Sequence, residues 1–288
     1  MVSHNAAAVL GDCLRSLRDE VRGIVVVDNA SSDGSEAVAT SLGPPVTWVP
    51  AGANLGYGRA ANLGVARTAG AAVLVCNPDL VLHPGAVAAL WGALEADPAV
   101  GIVGPRLRNL DGSIYPSARA FPSLVDAVGH GAFGAIWPTN PFSRRYKLLD
   151  WDHGEARRID WVSGACMLVR REAWDALAGF DAGYFMYMED VDLCWRAWRA
   201  GWAVAYEPAA EVTHAQGVST GAVPYRMIAA HHWSLWRFAR RTTVGWRRAL
   251  LPVVGAGLAV RCGVACLQHR APLQRSRIRR GRHRSGVG

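Results

Sequence analysis

The sequence predicts an α/β fold: a mainly parallel, twisted sheet covered by helices on both faces, followed by a helical, basic C-terminal extension. Three observations point there. Short apolar runs alternate with helical patterns over roughly the first hundred residues, as βα units do. Half of the 288 residues (51%) are apolar, enough for one full core plus an appendage and too many for global disorder. Charge is divided along the chain: residues 1–225 hold all 23 acids against 17 bases, whereas 226–288 hold 14 arginines and no acid.

The elements follow in order. Ile24-Val25-Val26-Val27-Asp28 is a buried-strand run. Asp33-x-x-Glu36 has the spacing of a capping box and opens a helix that ends near Gly43-Pro44. Val46 to Val49 is the next strand, then a helix from Tyr57 to Ala69 and a strand from Ala71 to Cys76. Pro84 opens a further helix with Val87, Leu90, Trp91 and Leu94 on one face, and Val100 to Val103 is again a strand. Residues 105–160 lose this rhythm; their Pro, Gly, Arg and aromatic content suggests long loops over a site, or a lid. Trp161 to Arg170 returns to a buried strand, and a helix follows that Gly201 stops. After His214 the chain becomes helical and basic.

Cysteines 13, 76, 166, 194, 262 and 266 form no CxxC pair and no metal-type spacing with histidine. They read as reduced thiols of a cytosolic protein, several of them buried. Met1-Val2-Ser3-His4-Asn5 has neither the charged nor the apolar region of a signal peptide.

The densest chemistry lies in Phe185-Met186-Tyr187-Met188-Glu189-Asp190-Val191-Asp192-Leu193-Cys194-Trp195-Arg196. Three carboxylates open a helix inside an apolar, aromatic run, which is where a tuned general base would sit. The same acids could simply complement the helix dipole, with Asp192 and Arg196 as an i,i+4 pair. Asp28 and Asn77-Pro78-Asp79 each close a predicted strand, the edge at which ligands bind in open α/β sheets. A hard carboxylate there, a diphosphate and waters make a Mg²⁺ or Mn²⁺ site; taken singly, each Asp is also an ordinary turn residue. Gly56-x-Gly58-x-x-Ala61, with Asp79 further on, imitates a dinucleotide fingerprint, but it follows the second strand signal rather than the first.

Five motifs occur in order: Val26-Val27-Asp28-Asn29-Ala30-Ser31-Ser32-Asp33-Gly34-Ser35, Asn54-Leu55-Gly56-Tyr57-Gly58, Asn77-Pro78-Asp79, Trp161-Val162-Ser163-Gly164-Ala165 and Met188-Glu189-Asp190-Val191-Asp192-Leu193. In this the chain resembles the inverting, GT-A-fold family 2 glycosyltransferases, specifically their rhamnosyltransferase branch, over residues 2–222. The stretches Asp111 to Arg119 and Tyr184 to Asp190, with Ser219-Thr220 after His214, narrow the resemblance to that branch. It implies a GT-A catalytic domain over 1–222 and a membrane-interfacial region over 223–288. It implies dTDP-L-rhamnose as donor and polyprenyl-diphosphate-linked N-acetylglucosamine as acceptor, in building the arabinogalactan linker of a cell wall. Residue by residue, Asp190 would be the base, with Glu189 and Asp192 supporting it. Ser3, Asn5, Asp28, Asn29, Asn54, Gly56, Asn77 and Asp79 would line the nucleotide sugar, Asp28 accepting the thymine N3–H. Asp79 and His214 would hold the metal, and Trp161, Gly164 and Ala165 would shape the acceptor pocket. Two departures stand out. Asn77 replaces the first acid of the Asp-x-Asp many relatives carry, which thins the metal site. The family also has a longer buried strand before Ser-Tyr-Asn, whereas this chain starts at Met1-Val2 and has His4 in place of Tyr.

Ala249 to Leu267 is largely apolar but interrupted by Pro252, glycines and Arg261, which favours an interfacial helix over a span. Arg275, Arg277, Arg279, Arg280, Arg282 and Arg284 fit an anionic membrane surface, so the expected location is peripheral, at the cytoplasmic face of the cell membrane. No nucleic-acid-reading module accompanies them. A homo-oligomer is compatible with the sequence and not required by it. The competing classes are a family 2 enzyme for another sugar or acceptor, a nucleotidyltransferase, and a non-catalytic scaffold. A nucleotidyltransferase would want a Gly-rich, basic run that residues 1–24 lack. The intact Asp79 and Glu189-Asp190 argue against a scaffold.

Overall fold

The computed structural model describes residues 1–121, 123, 126, 129, 137–215 and 224–282, with side chains except at Pro224 and beyond residue 268. Ser219-Thr220 lies outside them. The chain forms two compact units, Met1–Phe185 with Glu189–Ser219, and Met186–Met188 with Thr220–Gly288.

The first unit begins with a parallel three-stranded sheet of β1 (Val2–Ser3), β2 (Ile24–Asp28) and β3 (Val46–Pro50), in the order β1-β2-β3. Its β-branched residues are buried on both faces at Val26 and Val27, as expected of a strand between helical layers. Helix α1 (Ala7–Arg18) buries Leu10, Cys13, Leu14 and Leu17, an i, i+3, i+4, i+7 stripe. The capping-box expectation is corrected here. Helix α2 spans Ser35–Ser41, and the Asp33 carboxylate accepts from Ser35 N but also from Ala7 N at 2.8 Å, so it caps α1 across the fold. Helix α3 covers Tyr57–Val65.

The second sheet contains β4 (Ala72–Cys76), β5 (Leu80–Leu82), β6 (Val100–Arg108), β11 (Cys166–Arg170) and β12 (Ala203–His214) in the order β4-β11-β6-β12-β5. β7 (Ile114–Tyr115) adds to β6 and β9 (Arg157–Arg158) to β12, while β8 (Ala118–Arg119) pairs with β10 (Trp161–Val162). The α/β class stands, but this sheet is mixed. Only β6–β12 is parallel; β11 enters from the carboxyl end of β4 and so runs antiparallel to both its neighbours. Helix α4 (Ala86–Ala96) buries Ala86, Leu90 and Leu94 and leaves Trp91 outside that face.

Three further expectations change. Residues 105–160 are not simply loops: β6 runs on to Arg108, and α5 (Pro141–Lys147) is capped by Asn140. Trp161 to Arg170 is two strands divided by a turn at residues 163–165. The longest strand, β12, has no clean sequence signal because Pro208 interrupts it. A register shift between Glu207 and Glu211 absorbs the proline, and Arg106 and Arg108 grip Glu211 at 3.0 and 2.6 Å beyond it.

After α6 (Arg171–Ala176), helix α7 (Glu189–Arg199) carries the three acids, and Gly201 follows at φ +90°. In the second unit, α8 (Pro224–Thr242) leads through a 3₁₀ turn (Gly245–Leu250) into α9 (Leu251–Arg282). Gly255 permits close packing on Trp236, whose ring a Cβ would approach to 3.2 Å. Gly245–Gln268 is long and apolar enough to cross a membrane, and none of that stretch is buried.

Candidate active site

Glu189 and Asp190 open α7 and behave differently. Asp190 Oδ2 accepts from Gly164 N at 2.8 Å, and Oδ1 accepts from Val191 N at 2.9 Å. Burial raises its proton affinity, while these two N–H groups and the Arg119 charge oppose the rise. Glu189 is buried, and its Oε2 has no hydrogen-bond partner. Burial, then the Asp190 charge, pushes its carboxyl up to about 8. Of the two, Asp190 is the carboxyl whose charged form is met by directed donors, and Glu189 the one whose charged form is not.

Asp192 is not brought to this site. Two residues further along the helix, it faces the interior fully buried, with Oδ2 2.7 Å from Arg196 Nε. Arg196 also donates to Leu177 O and Gly179 O, so this is the i,i+4 pair put to work as a clamp on the turn ahead of the helix. The expected support of Asp190 by Asp192 is therefore not a direct contact: the Asp192 carboxylate is engaged by Arg196.

The 163–165 turn joins Asp190 to the sheet edge. Asn77 N donates to Ala165 O at 2.8 Å, and buried Tyr57 donates its hydroxyl to Gly164 O at 2.7 Å. Cys166 stands opposite Cys76 in the β4–β11 register, so Gly164, Ala165 and Asn77 share one end of the sheet with Asp79. Trp161 is buried one turn away and donates its indole N–H to Ala120 O. A Cβ on Gly164 would stand 3.0 Å from Asp190 Cβ, so glycine lets the turn approach the carboxylate.

Asp79 and His214 meet because β5 and β12 pair antiparallel, with His214 opposite Leu80. Asp79 Oδ1 lies 3.2 Å from His214 Nε2, and both side chains are buried. Asp79 Oδ1 and His214 Nδ1 are nonetheless without hydrogen bonds. A buried carboxylate oxygen left unmatched beside an imidazole fits a cation. Among the described residues no cluster of three or more His, Cys, Asp or Glu surrounds it, so further donors would come from ligand and water.

The residues expected to line the nucleotide sugar form a connected loop cluster. Asp28 accepts from Ser31 N at 3.1 Å, which leaves most of its lone pairs free. Asn29 donates to Asn54 Oδ1 and accepts from Leu55 N, fastening the two loops together. Asn5, at φ +50°, accepts from Ser32 N, and buried Ser3 Oγ has no partner. Gly56 explains the fingerprint-like spacing. At φ +82° a Cβ there would fall 2.2 Å from Phe185 O, which accepts from Tyr57 N, so the glycine is required for the 180–185 loop to seat here.

Two contributors had no role assigned from sequence. Tyr57 lies within the Asn54–Gly58 motif, and Arg119 within the stretch that narrows the family resemblance. Nothing in their local pattern announces that they converge on Gly164 and Asp190.

Residues 1–176 match the Glycosyl transferase family 2 profile. The chain is 42% identical over 277 residues to the N-acetylglucosaminyl-diphospho-decaprenol L-rhamnosyltransferase of Mycobacterium tuberculosis (strain CDC 1551 / Oshkosh), covering 90% of this chain and 89% of that protein. It is 30% identical to the pre-mycofactocin glycosyltransferase of the same organism, over 70% of this chain and 39% of that one. Among solved structures, the mannosyltransferase PcManGT from Pyrobaculum calidifontis, in complex with GDP-Man and Mn2+, superposes with a TM-score of 0.58 at 18% identity, covering 94% of this chain and 73% of that one. The chain is thus a glycosyltransferase of GT-A architecture, and it belongs to glycosyl transferase family 2.

Proposed function

We propose that the protein transfers L-rhamnose, with inversion, from dTDP-L-rhamnose to polyprenyl-diphosphate-linked N-acetylglucosamine, in construction of a cell-wall linker. The observation that carries this reading is the 42% identity to the mycobacterial rhamnosyltransferase over 90% of the chain. Asp190 is the base in this reading. Its carboxylate is held by Gly164 and Val191, with lone pairs left for an acceptor hydroxyl. As the acceptor oxygen bonds to the anomeric carbon, its proton passes to Asp190, and the bond to the donor phosphate breaks with its electron pair leaving on the diphosphate. Asp28 receives the N3–H of the thymine ring, and Asn5, Asn29, Asn54 and Asn77 hold the loops around the nucleotide sugar. Asp79 and His214 would hold Mg²⁺ or Mn²⁺, which when bound neutralises charge on the departing diphosphate. Trp161, Gly164 and Ala165 wall the acceptor side.

The domain assignment is 1–222 for catalysis and 223–288 for attachment. Trp246 and Val253 are 76% and 72% exposed along the apolar stretch, and the arginines beyond supply charge for anionic lipid. This supports peripheral residence at the cytoplasmic face, where a lipid-linked acceptor is reached. A panel of nucleotide sugars offered with short-chain polyprenyl-diphosphate-GlcNAc, with and without EDTA and read by mass spectrometry, tests the assignment. A rhamnosylated product from dTDP-L-rhamnose that EDTA abolishes is expected; turnover of another donor in preference would overturn the donor assignment.

A further inference from the structure

We propose that Arg119, held by the strap fastened to the Gly164 turn, is a positioning residue that favours the charged form of Asp190 over that of its neighbour Glu189. The proposal rests on the reading of Asp190 as the base.

Arg119 is held from several sides. It sits on β8, directly opposite Trp161 of β10. Its Nε donates to Pro116 O at 2.7 Å and its Nη2 to the Tyr115 hydroxyl at 2.9 Å. Its guanidinium carbon lies 5.5, 5.6 and 5.1 Å from the ring centres of Tyr115, Tyr146 and Trp161. Rings stabilise a cation by their quadrupoles but do not cancel its charge. The hydrogen-bond acceptors just named are a carbonyl and a hydroxyl, both neutral. A guanidinium cannot shed its proton, so this is a fixed positive charge in a partly desolvated cage.

That charge bears on Asp190, and the same strap places both of its supports. Ser163 N donates to Ser117 O, and Val162 stands opposite Ala118. The segment bearing Arg119 is therefore fastened to the turn whose Gly164 N–H holds Asp190. Among the described residues, Glu189 on its own helix, Tyr57 of α3, Tyr146 of α5 and Cys194 one turn on are titratable groups that interact with Asp190; burial pushes all four toward their neutral forms. Arg119 is a cation whose charge opposes the burial of Asp190. Two adjacent buried carboxyls do not both ionise cheaply, so whichever feels the guanidinium and the N–H donors takes the charge. Glu189, with an unpartnered buried oxygen, keeps the proton.

The test is the pH profile of kcat/KM for the full-length enzyme and for Arg119→Met, Arg119→Lys and Asp190→Asn. Asp190 must be ionised to act, so activity rises with pH through its titration. Removing the positive charge should move that acidic limb upward by about one pH unit or more, with activity recovering on the alkaline side. Arg119→Lys keeps the charge while losing the planar fork, and should leave the limb near its wild-type position. A merely structural role would depress activity at all pH values without displacing the limb, and that result would overturn the proposal. So would an equal displacement in the Lys and Met variants. If the Met variant does not fold, a displaced limb in the Lys variant alone overturns it and an undisplaced limb supports it. Asp190→Asn separates the two claims. An active Asp190→Asn enzyme removes the base assignment itself, whereas an inactive one beside an unmoved Arg119→Met limb refutes only the role of Arg119.

Discussion

Replacing Glu189 by Gln should stabilise the protein at neutral pH, and the gain should grow as pH rises. Glu189 is 6% exposed and its Oε2 is unpartnered. Its carboxyl is pushed up to about 8 from an ordinary 4.5. Between those values the folded protein keeps a proton that the unfolded chain has released. The stability this contributes is fully present below the unfolded value and falls by about 1.4 kcal/mol per pH unit until the folded value is passed. At pH 7 the loss is on the order of 3 kcal/mol. Glutamine has the shape of the protonated acid and does not titrate. The variant should exceed wild type by about that amount at pH 7 and match it near the unfolded value. Urea unfolding followed by tryptophan fluorescence, repeated at intervals across the window, measures the difference directly. Parallel stability curves for the two proteins would refute the claim that Glu189 is buried and protonated. The variant should also retain turnover, since the proton-accepting group is its neighbour.

Asp79→Ala should weaken metal-dependent donor binding, and His214→Ala should do so less, because a neutral imidazole adds less than a carboxylate to a hard-cation site; calorimetry with nucleotide sugar and Mn²⁺ would show it, and binding indifferent to both changes would discard the metal site. Gly56→Ala should destabilise by about 2–4 kcal/mol, from a backbone region closed to side chains and a Cβ driven onto Phe185 O; an unchanged melting temperature would contradict it. Truncation after residue 221 should release the protein from anionic vesicles in flotation, and high salt should imitate part of that loss. Equal flotation of both forms would place the membrane contact in the catalytic unit.

Much of the fold is legible where local pattern and tertiary need coincide. Ile24–Asp28, Val46–Pro50 and Ala72–Cys76 carry short apolar runs that form strands as expected, and Gly201 stops α7 where expected. The pattern fails where a residue serves a distant partner. Asp33 looks like the cap of its own helix but spends one oxygen on α1. Pro208 hides β12, because a proline is compatible with a long strand only through a register shift that sequence does not display. The same limit applies to the site. Asp28, Asp79 and Asp190 stand out as acids at strand and helix ends, whereas Asp192 carries the same local signal and turns inward to Arg196. Arg119 and Tyr57 reach the site through pairings of distant segments, which leave no periodic trace.

The central claim, that Asp190 takes the acceptor proton, is tested most directly by Asp190→Asn. The substitution conserves shape and the bond from Gly164 N while removing the base. Single-turnover transfer from dTDP-L-rhamnose to the lipid-linked acceptor should fall by roughly 10²-fold or more. Donor binding, measured by calorimetry on the same preparation, should stay near wild type. Transfer at the wild-type rate in that variant would contradict the account and move the base to another residue.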